Sequence, residues 1–159
     1  MRPYQLFAAI APEQARRVLA ALQEKAPLAW AQALGLTAGT LKARPVFLQR
    51  QPPERRMELV RKALARVAAD PVAEEMLAVY FLECRKELVI DWLDRLGVAH
   101  EDGTLQGEPA EPAEKKLRDA VASFRKEATD ADAADRELLL RAFAAQSSID
   151  WPKLDALLA

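Results

Sequence analysis

Cys84 is the only cysteine in this 159-residue chain, and His100 is the only histidine. A single cysteine excludes an intramolecular disulfide. About four helical turns and a loop separate the two residues, so a thiol–imidazole pair would require that loop to double back. The three serines, Ser123, Ser147 and Ser148, stand in no nucleophile-elbow context. No glycine-rich phosphate cradle and no Glu-x-x-His carboxylate motif occurs. His100 stands beside Glu101 and Asp102, and in a turn that setting reads as solvated rather than metal-binding. The sequence therefore predicts no catalytic residue, no metal and no cofactor, and leans against an enzyme.

Long apolar runs are also missing. The stretch Tyr4–Ile10 is short, and Pro12, Glu13, Arg16 and Arg17 follow at once, unlike a signal peptide. Nothing approaches the length of a membrane span, so a cytoplasmic location and no membrane partner are expected. The net charge is only −1, which argues against a globally basic nucleic-acid binder. No period-two apolar alternation stands out, and no sheet is predicted. All five glycines lie in 35–39 and 97–107, leaving long uninterrupted tracts between.

What is present is helix-forming and apolar. Hydrophobic residues make up 51% of the chain, enough for a full core, and Ala, Leu, Glu and Arg favour helix. The expected fold is all-α: one domain over 1–159, a bundle of about six to eight helices around a long central helix at about 71–96. Asp70 and Pro71 suit the start of that helix and Gly97 its end. Leu77, Phe81, Cys84, Leu88 and Trp92 fall on one stripe; Ala78, Leu82, Val89, Leu93 and Leu96 fall on the next. Glu83, Glu87, Asp91 and Asp94 form a row opposite, read as a solvated face rather than a metal site. Arg85 breaks the pattern by projecting into the apolar sector. It requires an anionic partner from another segment, as a buried ion pair, or else lines a ligand pocket.

Other stripes follow in order. Ala15, Val18, Leu19 and Leu22 repeat after Pro12. Leu28, Ala31 and Leu34 follow Pro27, with Trp30 beside them. Val46, Phe47 and Leu48 are expected to pin a short helical segment to the core. Met57, Val60, Leu64 and Val67 form a seam, with the basic patch Arg55, Lys62 and Arg66 facing out. After the irregular tract 98–111, Leu117, Ala120, Val121 and Phe124 mark a further helix. Asp132 with Asp135 resembles a cap before Leu139, Ala142 and Phe143. Asp150 is expected to cap a last helix carrying Trp151, Leu154 and Leu158.

Charge is uneven. Lys42 to Arg66 holds eight basic residues against Glu54 and Glu58, plus six. Asp70 to Glu114 holds twelve acids against Arg85, Lys86 and Arg95, minus nine. Neighbouring antiparallel helices of opposite sign are expected to neutralise each other along their flanks. The alternative is a basic patch for phosphate or an acidic partner. Within this region, Ala31 to Arg44 resembles a helix-turn-helix core, with a Leu34–Gly35 turn, Thr37 as cap and Thr40–Leu41 in a second helix. That resemblance implies Thr37, Thr40, Lys42 and Arg44 as DNA-contacting residues. The leading functional expectation is a protein–protein interaction or adaptor module with a protein partner or self-association. The alternative is a DNA-binding regulator using 31–44.

Overall fold

In the computed structural model, which describes residues 1–159, six of the ten α-helices begin on a proline. These are α1 (Pro3–Ala9), α2 (Pro12–Lys25), α3 (Pro27–Leu41), α4 (Pro45–Gln49), α5 (Pro53–Leu64) and α10 (Pro152–Leu158). A first-turn amide has no intrahelical acceptor, so proline loses nothing there and its fixed φ favours the helix. The others are α6 (Asp70–Val79), α7 (Lys86–Leu96), α8 (Glu114–Lys126) and α9 (Ala133–Ala144). The chain is all-α, 72% helical. Ten helices form where six to eight were expected. No helix is long and apolar enough to cross a membrane.

The long central helix is not continuous. After α6 the chain makes a π-helical turn, Tyr80–Cys84, and Arg85 then leaves helical geometry at φ −136°, ψ 40°. Leu77, Phe81, Leu88 and Trp92 keep helix-like spacings of four, seven and four across the turn, so periodicity does not reveal it. Leu77 and Phe81 before the break and Leu88 and Trp92 after it are all buried; Cys84 is only half-buried. The break coincides with a division of the tertiary contacts into two units, Met1–Cys84 and Arg85–Ala159.

In the first unit α1 packs on α6 and α5, and α3 lies against α2, α5 and α6. Leu6, Phe7, Val18, Leu19, Leu22, Trp30, Leu48, Val60, Leu64 and Met76 form its centre. Asp70 does not cap its own helix. Its carboxylate accepts the Tyr4 N–H at 3.1 Å and the Arg2 guanidinium, so it serves the start of α1. Two apolar assignments change. On α3 the buried residues are Ala29, Trp30, Ala33, Thr37 and Ala38, not the Leu28–Ala31–Leu34 stripe; Leu28 is 88% exposed. This helix is apolar on every side, so the largest ring, not the pattern, selects the face. Val67 falls in a 3₁₀ turn (Val67–Ala69) beyond α5 and is 71% exposed.

In the second unit α8 packs on α7, α9 and α10. The Trp92 ring lies tilted at 5.5 Å from Phe124 and edge-to-face at 5.9 Å from Phe143, and Phe143 meets Trp151 at 5.2 Å. The expected dry residues of α8, Leu117, Ala120, Val121 and Phe124, are all buried. A two-stranded hairpin, β1 (His100–Glu101) with β2 (Thr104–Leu105), forms where no sheet was predicted. Asp102 (φ 52°) and Gly103 (φ 89°) supply the paired positive φ of a two-residue hairpin turn. Asp150 caps nothing. Glu111 Oε1 reaches from the preceding tract to the first amides of α10, Lys153 N–H at 2.7 Å and Leu154 N–H at 3.3 Å. Nor does Asp132 cap α9: its carboxylate takes the Thr129 N–H and Arg136 Nε.

Candidate functional site

The segment 31–41 lies within one uninterrupted helix, α3. The Leu34–Gly35 turn that the helix-turn-helix resemblance requires is absent. Thr37 is fully buried and its hydroxyl donates to the Ala33 carbonyl at 2.7 Å. Thr40 donates to the Leu36 carbonyl at 3.0 Å. Neither hydroxyl is presented as a contact to DNA. Lys42 and Arg44 are exposed, but they flank the link between α3 and α4 rather than lie on a recognition helix.

Arg85 donates from Nη1 to Asp135, whose side chain is nearly sealed, and from Nε to Glu87 at 2.9 Å. The guanidinium is thus held inside the second unit. Its neighbours are similarly engaged. Arg136 Nη1 meets Asp91 at 3.0 Å and the Phe124 carbonyl at 3.2 Å, and its guanidinium lies 4.6 Å from the Phe124 ring centre. Arg95 bonds Asp91 and Glu127, and the Asp91 hydrogen bond foremost keeps its pKa above the ordinary arginine value. The acidic row of α7 is therefore consumed pairwise: Glu87 by Arg85, Asp91 by Arg95 and Arg136, Asp94 by His100. Gly103 N–H donates to His100 Nδ1, which places the ring proton on Nε2 facing Asp94 at 2.7 Å. No three His, Cys, Asp or Glu side chains converge as a metal site would require. Burial is the main cause that raises the Cys84 thiol above its usual 9.0, with Lys25 opposing. A thiol so placed is a poor nucleophile at neutral pH.

The first unit is different. It carries twelve Lys and Arg against eight Asp and Glu, plus four. The expected neutralisation does not take place there: none of the eight cations of 42–66 is bridged to Asp70, Glu74, Glu75 or Glu83. Three of the eight have work within the fold. Arg56 ties down the carbonyls of Leu48, Gln49 and Gln51 at 2.9 to 3.0 Å. Arg61 reaches Glu58 and the Ala8 carbonyl at 3.4 Å, and Lys62 meets Glu58 at 3.8 Å. The remaining five, Lys42, Arg44, Arg50, Arg55 and Arg66, are exposed and have no hydrogen-bond or ion-pair partner.

Apolar side chains stand among them. Leu48 alone pins α4 to the core, while Val46 (45% exposed) and Phe47 (46%) face out, and Leu41 (42%) ends α3 beside Lys42. Lys42 adopts the left-handed conformation (φ 52°) that closes α3, with Ala43 N–H returning to the Ala38 carbonyl at 2.9 Å. Glycine is the usual occupant of such a position; a lysine there is held against local strain. Where α3 and α5 end, a groove of about 170 Å³ opens, lined by Leu36, Thr40, Ala63, Arg66, Ala68 and Ala69. A second cleft, between α2 and α5, is bordered by Arg16, Arg61, Glu54 and Glu58; its charges balance and present no net field. No protein-family model, curated protein or solved structure matches the chain.

Proposed function

We propose that the chain is a cytoplasmic protein-interaction module without catalytic activity, working through the α3–α4–α5 corner of its first unit. One observation carries this reading: five cations without partners alternate with exposed Leu41, Val46, Phe47 and Val67. Isolated exposed apolar residues need no explanation, but an exposed Phe47 among unpaired arginines matches the aromatic and arginine enrichment of binding surfaces. The strained Lys42 supports it further, since a helix stop alone would favour glycine.

The test compares the proteins captured by the immobilised wild-type chain and by the variants Phe47→Asp and Arg44→Glu/Arg50→Glu. A defined partner lost with both variants, at unchanged circular dichroism, is the expected result. Capture unaffected by either set rules the face out. Retention on duplex DNA that survives Phe47→Asp but not the charge reversals would replace the protein partner with nucleic acid.

A further inference from the structure

We infer that the groove between the ends of α3 and α5 is an anchor slot for one bulky apolar side chain carried on an acidic peptide segment of a partner protein. The inference rests on the interaction reading above and specifies its partner. The floor is apolar and built from small residues: Leu36 from α3, Ala63 from α5, and Ala68 and Ala69 from the 3₁₀ turn. Thr40, the one hydroxyl in the lining, already donates to the Leu36 carbonyl, so it makes no polar demand on what enters. A volume of about 170 Å³ matches a single Leu, Ile or Phe side chain, since a cavity of about 150 Å³ takes a benzene-sized group. Arg66 lines the groove without a partner. Leu41 and Lys42 follow Thr40 directly in the chain, and Val67 follows Arg66, so both sides of the groove continue into exposed apolar and cationic residues.

That arrangement selects its occupant. Unpartnered guanidinium and ammonium groups beside an apolar slot fit carboxylates flanking an apolar anchor, bidentate at Arg66 and a point charge at Lys42. Duplex nucleic acid offers the anions without an aliphatic or benzyl group to fill the slot. Steering by Lys42, Arg44, Arg50, Arg55 and Arg66 would speed encounter with an acidic segment, and salt would weaken it.

The experiment pans a random-peptide display library on the full-length chain and measures the enriched peptides by fluorescence anisotropy at low and high salt. Expected is enrichment of sequences with a surplus of Asp and Glu around one Leu, Ile or Phe. Filling the slot by Ala68→Phe, at an exposed position, should weaken these peptides about tenfold or more, as should Arg66→Glu. Leu28→Asp, at the far end of α3, should leave binding unchanged. Neutral or basic enriched sequences, or acidic ones indifferent to Ala68→Phe, overturn the slot. If a partner is nonetheless lost with Phe47→Asp, the interaction reading survives; if nothing is enriched and Phe47→Asp changes no capture, both fail. Two further controls bear on the occupant. Anionic vesicles bound as tightly as the peptides and indifferent to Ala68→Phe, or a dimer that Ala68→Phe dissolves, would assign the face to a membrane or to a second copy.

Discussion

Single residues show where local rules are overridden. Lys42 carries the clearest conflict, a left-handed backbone on a side chain that prefers to avoid it. Replacing it by glycine removes about 1 kcal/mol of strain and gives up about 0.5 kcal/mol of attraction to the helix C-terminus. Lys42→Gly should therefore raise the thermal midpoint slightly while weakening partner capture; a lowered midpoint would make Lys42 a stabilising cap. Glu111 is the opposite case, a residue whose role is entirely at a distance. Because it satisfies two first-turn amides of α10, Glu111→Ala should cost about 1 kcal/mol in urea titration. Asp150→Ala, at the position sequence rules favour, should stay within about 0.5 kcal/mol of wild type. Equal losses from the two would contradict the observed cap.

Among the elements, α3 separates the two functional readings. Gly35 sits mid-helix, and a Cβ added there meets nothing within 4 Å. Gly35→Ala should stabilise the protein by about 0.5 to 1 kcal/mol through lower unfolded-state entropy and better helix propensity. A Gly35 that shaped a helix-turn-helix turn would give a loss in the same melting experiment. The start of α9 makes a pH prediction. Burial pushes the Asp132 carboxyl up, but the Thr129 N–H and the Arg136 bonds outweigh it and leave its pKa below the ordinary 3.8. Arg125 chiefly, with Arg141, holds Glu137 below the ordinary 4.5 despite partial burial. Both pKa values are lowered in the folded state, so their stabilisation is full above the ordinary carboxylate range and disappears as pH falls through the folded values. Urea midpoints should drop on that acidic limb, and Asp132→Asn should flatten the drop. An unchanged slope in the variant would remove Asp132 from the account.

Across the whole molecule the net charge of −1 conceals two opposite totals. The first unit carries plus four, and Arg85–Ala159 carries eleven Lys and Arg against sixteen Asp and Glu, minus five. Despite a sequence pI near 5.9, the chain should be retained by a cation exchanger at pH 7 and low salt, because a local patch of free cations, not the average, meets the resin. Lys42→Glu with Arg44→Glu and Arg50→Glu should abolish retention. Wild-type protein in the flow-through would show that the patch is too weak to act.

The sequence by itself determined the all-helical class, the helix starts at Pro12 and Pro27, the dry face of α8 and the oddity of Arg85. Each depends on spacing, propensity or a residue out of place within one segment, and those are local. It also placed eight cations in 42–66, but its expectation of neutralisation hid that five of them stay unpartnered. Only the tertiary structure decided that Arg56 and Arg61 are spent on the fold, that Trp30 chooses the inner side of α3, and that the 71–96 tract breaks at Arg85. The Ala8 carbonyl that Arg61 reaches and the Asp135 that holds Arg85 lie well outside the local window of any helix pattern. A hydrogen bond or ion pair between distant segments leaves no periodicity in either of them.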